Sequence, residues 1–328
     1  MTAVQTLAVT EDEAELRLDR WFKRHFPQIG HGRLEKLLRT GQLRVDGKRA
    51  KSNQRLEPGQ QIRVPPLPDD DAPAAAPRAA VSDADAKMLR DAILHMDEDV
   101  IVLNKPAGLP VQGGTGQTRH LDGMLDALQF DAPERPRLVH RLDKDTSGVL
   151  LLGRSPKATA KLTAAFRGRT ARKCYWALVV GVPHPLKGRI DAPLAKLPAE
   201  HREKMQIDEE EGRHAVTWYR VVSAAHKKAA WLEMEPRTGR THQLRAHCVL
   251  LGTPIQGDSL YGAGVAMLTG GGISKKLHLH ARAIRLPHPR GGMLDSVAPL
   301  PGHMQSSFAA FGFEESEAGP PFAAFEED

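Results

Sequence analysis

The stretch "HRLDKDTSG", residues 140–148, gathers two carboxylates (Asp143, Asp145), two cations (Arg141, Lys144), two hydroxyls and a histidine. It stands immediately before the apolar run Val149, Leu150, Leu151, Leu152. A charged loop that leads into a buried strand can present side chains while the strand holds the backbone still. The same composition suits a solvated turn capped by Asp, Thr and Ser, and two later stretches tip the balance toward a site. In "RGRTARKCYWALVVG" a cationic segment passes into the alternation Tyr175, Ala177, Val179, so Tyr175 opens a strand with one side chain toward a cleft. In "MEPRTGRTHQLRAHCVLLGTPIQGDSLYG" Arg240 and Arg245 fall near the start of a helix, where a cation opposes the helix dipole. That placement calls for an anion and points to an acidic partner. Paired carboxylates could also serve glycoside hydrolysis. Asp143 and Asp145 lie two apart on one loop, however, and do not flank opposite sides of a substrate as that chemistry requires.

The elements that must hold these residues can be read from periodicity. Asp99, Val100, Ile101, Val102 and Leu103 form a buried strand, which Asn104-Lys105-Pro106 turns into a loop containing Gly108, Gly113, Gly114 and Gly116. No Gly-Lys-Ser/Thr follows, so this is not a P-loop, although Lys105 beside it is placed to meet a phosphate. Residues 156–166 read as a helix carrying Ala158, Leu162 and Phe166. A strand over residues 230–234 ends at the turn Thr238-Gly239. Thr241 or Thr238 then caps a helix from about His242 to Leu251, stopped by Gly252 and Pro254, with Leu244, Val249 and Leu251 available to the core. Of His242, His247, Cys248, His278 and His280, only His278 and His280 share a strand face. No paired-ligand spacing recurs, and the sequence implies neither a metal nor a cofactor.

The N-terminal part has a different character. From Glu15 to Val64 there are 13 Lys or Arg against 5 Asp or Glu, whereas the 328-residue chain carries only +6 overall. Residues 1–14 read as frayed. Leu16, Leu18, Trp21, Phe22 and Phe26 suggest a first helix, and Leu34, Leu37 and Leu38 a second that ends at Gly41. A turn at Asp46-Gly47 and a strand at Ile62 and Val64 follow. Arg33, Lys36, Arg39, Arg44 and Lys48 crowd into this small span, the electrostatic footprint of a phosphate-backbone binder. Residues 66–88, rich in Pro, Ala and Asp, read as an extended linker. The two cysteines make no disulfide framework, and the chain shows neither a signal peptide nor a membrane span, which fits a reducing cytoplasm.

Residues 15–65 resemble the S4 RNA-binding domain through "RLDRWFKRHF" and "GRLEKLLRTGQLRVDGKRAKSNQRLEPGQQIRV". "VIVLNKPAGLPVQGG", "HRLDKDTSG", "RKCYWALV" and "TGRTHQLRAH" occur in the order seen in the pseudouridine synthases of large-subunit ribosomal RNA, and the chain resembles that family over roughly residues 15–300. The resemblance implies an α+β fold: a small S4-like domain (15–65), the linker (66–88), and a catalytic domain (89–305) built on a mostly antiparallel mixed sheet. It implies 23S ribosomal RNA or a large-subunit precursor as partner, and a monomer needing no cofactor. By resemblance Asp143 is the catalytic carboxylate, Arg245 the arginine that pairs with it, and Tyr175 the tyrosine that stacks on the target base. Arg141 is the residue that fills the gap left by a flipped uridine, with His140 and Arg240 beside it on the RNA. The alternative function is a catalytically idle S4-type RNA-binding or ribosome-assembly protein. The acidic tail, 306–328, has no counterpart in the resemblance. Its six acids and no bases over residues 314–328 suggest disorder, with weak docking on the basic domain.

Overall fold

The structure is a computed structural model that describes residues 4–67, 80–114, 117–197, 204–262, 264 and 267–325. Most of the expected linker, at 68–79, and Gly116 of the glycine-rich loop lie outside the described residues. The chain divides into two compact units, residues 1–80 and 81–328.

In the first unit, β1 (Gln5–Ala8) is followed by α1 (Leu18–His25) and α2 (His31–Arg39). Then come β2 (Arg44–Val45), β3 (Lys48–Arg49) and β4 (Gln61–Val64). The strands form an antiparallel sheet in the order β1-β4-β2-β3. Leu18, Trp21 and Phe22 of α1, Leu34, Leu37 and Leu38 of α2, and Leu43, Val45 and Ile62 close one core. Asp46 and Gly47 both take positive φ (49° and 73°), as a two-residue hairpin turn needs. Of residues 1–14, read as frayed, the first three lie outside the described residues, and the rest are ordered: β1 pairs with β4, Val9 is buried, and buried Glu13 accepts the indole N–H of Trp21 at 2.8 Å. A four-residue edge strand that buries only alternate side chains leaves too faint a pattern to read.

The second unit opens with α3 (Asp83–Asp91), inside the span read as linker, where Ser82 caps the helix by accepting Asp85 N–H at 3.1 Å. It continues through β5 (Ile93–Met96), β6 (Val100–Lys105), α4 (Leu121–Met124), β7 (Arg137–Leu138), β8 (Ser147–Gly153), α5 (Pro156–Arg167) and β9 (Arg172–Val180). Then follow β10 (Lys187–Asp191), β11 (Leu194–Lys196), β12 (Met205–Ile207), β13 (Val216–Ala225), β14 (Ala229–Pro236) and α6 (Gln243–Leu250). The chain ends through β15 (Leu279–Pro287), β16 (Met293–Val297) and α7 (Gly302–Phe311). The main sheet runs β10-β13-β14-β9-β15-β8-β6-β5, with β16 on β15 and β7 on β8, and β11 pairs separately with β12. Among the described residues, β8–β15 is the one parallel pairing of this sheet, which makes it mixed and mostly antiparallel. The central strands β8 and β14 are buried along their whole length because helices and loops cover both faces.

The tail is ordered as far as Phe325, contrary to expectation. Phe313, Phe322 and Phe325 are buried, and the first two join Trp231, Met304 and Phe308 in one cluster. Arg172 lies 4.8 Å over the Phe322 ring, and Arg282 pairs with Glu315 at 2.9 Å. The acidic composition masked three phenylalanines, which pack within the second unit.

Candidate active site

The charged loop, residues 139–146, joins β7 to β8 and is held from below. Lys105, at the end of β6, is 0 % exposed, and its Nζ donates to the carbonyls of Pro106, Leu109 and Lys144 at 2.9, 2.9 and 3.0 Å. Gly108 N–H donates to the same Lys144 carbonyl at 2.9 Å. Burial lowers the Lys105 pKa to about 8, opposed by the charges of Asp145 and Asp143. The expectation that Lys105 meets an RNA phosphate is therefore corrected, since all three ammonium protons are spent on backbone. At the loop's end Gly148 takes φ 108°, with its Cα so close to β15 that a Cβ would stand 2.2 Å from Ala281 O.

The loop faces a cavity of about 840 Å³ whose lining includes Asp143, Tyr175, Arg245, Arg141, His140 and Arg240. The residues singled out in the three stretches thus converge, except Asp145, and Lys105 also lies outside the lining. Asp143 has a third of its side chain exposed. Tyr175 is held on β9 between Met234 and Ala281 of the neighbouring strands. Burial, the Asp143 charge and Cys174 together raise its pKa, which keeps the phenol neutral. Its hydroxyl has no hydrogen-bond partner among the described residues, which leaves it for a ligand.

Arg245 departs from the expected pairing. Its Nε and a terminal nitrogen grip Asp258, at 2.8 and 2.7 Å, rather than Asp143. Burial opposes the Arg245 charge, but the hydrogen bonds and charge of Asp258 outweigh it and raise the pKa, with Asp143 contributing from farther away. The anion demanded by a cation at a helix start is thus supplied from within. Asp258 also accepts the N–H groups of Leu260 and Tyr261, both at 3.0 Å. Among the described residues, an imidazole also faces Asp143, with His242 Nε2 3.8 Å from Oδ2.

The helix cap differs too. Neither threonine caps α6; His242 occupies the N-cap in the left-handed region (φ 51°, ψ 20°) and makes no capping bond. Gln243 organises the turn instead, accepting from Thr238 Oγ1 at 2.7 Å and Arg240 N at 3.1 Å. On α6, Val249 is exposed, while His247 and Cys248 fill the core positions beside Leu244.

His140 stacks on Phe166 (4.5 Å between centroids), and its Nε2 accepts Leu151 N–H at 3.0 Å. Burial lowers its pKa to about 3, so it stays a neutral prop of the loop. Arg141 is exposed and donates to Gln112 Oε1 at 3.2 Å. Arg240 Nε is tied to His214 O at 3.0 Å. Lys173, which the sequence reading passed over, shares Tyr175's face of β9 and lines the cavity. Burial lowers its pKa to about 8 against the pull of Glu235. Also missed were His242, Asp258 and Tyr261. The signal for them was the carboxylate and tyrosine of "GDSLYG", the anion that the misplaced arginine required.

His278 and His280 are held by protein groups, His278 by Lys276 O and Ser307, His280 by Ser147 and Ala298 O. Among the described residues, no group of three or more His, Cys, Asp or Glu could hold a metal, and no helix is long and apolar enough to cross a membrane.

A carboxylate, a buried phenol and an arginine thus line one cleft of about 840 Å³. Comparison with known proteins gives this site its family. Residues 99–249 match the family described as RNA pseudouridylate synthase. The chain is 35% identical to RNA pseudouridine synthase 4, mitochondrial, of Arabidopsis thaliana, over 90% of this chain and 80% of that one. It is also 35% identical to ribosomal large subunit pseudouridine synthase C of Escherichia coli (strain K12), over 91% and 93%. A solved structure, human RNA pseudouridylate synthase domain containing 4, superposes with a TM-score of 0.60 at 34% identity, covering 70% of this chain and 96% of that one. The chain belongs to the RNA pseudouridine synthase family. Its enzymes are isomerases that convert uridine in RNA to pseudouridine.

Proposed function

We propose that this enzyme isomerises specific uridines of 23S ribosomal RNA, or of a large-subunit precursor, with Asp143 as the catalytic carboxylate on a flipped-out uridine. The observation that carries the reading is the approach of Asp143, Tyr175 and Arg245 to one cleft in a chain alignable nearly end to end with a ribosomal large subunit synthase of C type. Pseudouridine formation breaks the bond from ribose to base nitrogen and reforms it to base carbon, so a nucleophile or a stabiliser of positive charge is needed at the break. A carboxylate serves as either. Tyr175, held as a neutral phenol, stacks on the base. Arg245, anchored by Asp258, supplies positive charge near Asp143 without collapsing onto it.

In this reading residues 15–65 act as an S4-type RNA-binding domain. Two helices followed by a hairpin support it, as do the exposed side chains of Arg33, Lys36, Arg39, Arg44 and Lys48. In this reading the enzyme works as a monomer in the cytoplasm, the location following from the substrate.

The test is pseudouridine mapping of 23S ribosomal RNA, by chemical labelling and primer extension, in cells lacking the protein and in cells carrying Asp143→Ala. Sites lost in both strains establish the target. Restoration of a lost site by Asp143→Ala removes this carboxylate from the chemistry, and no lost site directs the search to another RNA.

A further inference from the structure

His242 is costly where it stands. A non-glycine residue in the left-handed region carries strain of order 1 kcal/mol, and at a helix N-cap that cost is normally offset by a capping bond that His242 does not make. Its side chain is committed elsewhere. Tyr261 Oη accepts Met205 N–H at 2.8 Å, so the hydroxyl proton is free to go to His242 Nδ1 at 3.0 Å. In the tautomer that accepts this proton at Nδ1, the ring hydrogen sits on Nε2, the nitrogen that points at Asp143 Oδ2 from 3.8 Å. Tyr261 is itself fixed edge-on to the imidazole, centroids 5.6 Å apart, and its backbone N–H is held by Asp258, the carboxylate that also fixes Arg245.

We propose that His242 is a positioning residue for the isomerisation: held by Tyr261, it directs its Nε2–H at the Asp143 carboxylate and sets the approach of that group to the flipped nucleotide. The inference rests on the reading of Asp143 as the catalytic carboxylate. The 3.8 Å separation exceeds a hydrogen bond, and catalytic hydrogen bonds commonly tighten only as the substrate binds. Asp258 is the common footing. It orients Arg245 directly and His242 through Tyr261, so both groups that face Asp143 are referred to one buried anion.

Two substitutions separate this role from packing. In His242→Asn the shorter amide suits left-handed backbone and stays near Tyr261, but it cannot reach Asp143. In His242→Gln an amide N–H returns to the place of Nε2–H. The substrate is the RNA that the wild-type enzyme modifies, taken from a strain lacking the enzyme, either naked or as precursor particle. Pseudouridine is quantified at saturating and limiting RNA, with Asp143→Asn measured alongside. A misplaced reacting group costs about 10²-fold in rate. The expected result is therefore a kcat loss of that order in His242→Asn at unchanged KM and thermal midpoint, largely restored in His242→Gln. Wild-type kcat in His242→Asn, with Asp143→Asn inactive, overturns the role of His242 alone. A loss confined to KM makes His242 an RNA contact, and a fall in thermal midpoint matching the activity loss makes it structural; both overturn the proposal. Activity in Asp143→Asn overturns the reading on which it rests.

Discussion

Arg245 and Asp258 form a two-pronged ion pair of 2.8 and 2.7 Å, with 10 % and 1 % of their side chains exposed. Breaking a buried pair leaves one charge stranded, at a cost of about 3–5 kcal/mol. Asp258 also holds two backbone N–H groups. Asp258→Ala is therefore expected to lower unfolding stability by that order and to abolish pseudouridine formation. Arg245→Met strands the Asp258 carboxylate in turn, but that group keeps the N–H bonds of Leu260 and Tyr261 and can take up a proton, so this variant is expected to cost less stability while losing activity equally. Urea titration beside the activity assay checks the split; equal destabilisation by the two would show that those bonds do not offset the stranded carboxylate.

The tail provides a second test. Phe322 is buried in the cluster with Trp231 and lies under Arg172, which is also held by Glu235 at 2.8 Å. Phe322→Ala is expected to destabilise the catalytic unit by about 3–5 kcal/mol. Deletion of residues 312–328 is expected to cost more, without improving RNA affinity at low salt. Full stability after deletion would restore the view of a disordered tail.

These cases mark how far the sequence could be read. Elements with strong periodicity or punctuation were legible: the turn at Asp46-Gly47, the apolar strand after Gly148, and α5 with its apolar spacing. Asp143 and Tyr175, singled out by residue type and order, line the same cavity. Asp258 was not singled out, because its pairing with Arg245 spans 13 residues and a loop, and nothing in the periodicity says which carboxylate a buried arginine will find. Lys105 misled for a related reason. A lysine beside a glycine-rich turn looks like a phosphate ligand, and only the carbonyls converging on it show that it braces the loop. The tail misled because composition averages over residues, whereas three well-placed aromatic rings decide docking.

Two buried histidines give a pH dependence with a definite sign. His278 and His280 are fully buried, and desolvation, the largest cause, lowers each from 6.5 to about 4. Between those values the unfolded chain binds protons that the folded chain refuses, so stability is fully present above about pH 6.5 and falls as pH drops toward 4. One and a half pH units below 6.5 corresponds to about 2 kcal/mol for each histidine at pH 5. His140, lowered to about 3, adds a like amount, so the urea midpoint of the wild type is expected to fall from pH 7 to pH 5, and His280→Gln to flatten that fall by about a third at most. An unchanged slope would place the acid sensitivity elsewhere.

The cations of the first unit are expected to divide by what they touch. Arg33, Lys36 and Lys48 are exposed, whereas Arg44 donates to Gly41 O at 3.0 Å and Gly47 O at 3.1 Å, bracing the end of α2 against the hairpin turn. If the unit tracks an RNA backbone, each phosphate contact contributes about 0.7–0.9 to the slope of log affinity against log salt. Arg33→Gln together with Lys36→Gln is then expected to lower that slope by about 1.5 with the thermal midpoint unchanged. Arg44→Gln is expected to lower stability as well, by about 1 kcal/mol for each carbonyl bond lost. Filter binding across a salt series, run beside thermal unfolding of the full chain, separates the two effects. A double variant that keeps the wild-type slope removes α2 from the RNA interface, and the basic composition of this unit would then serve another surface.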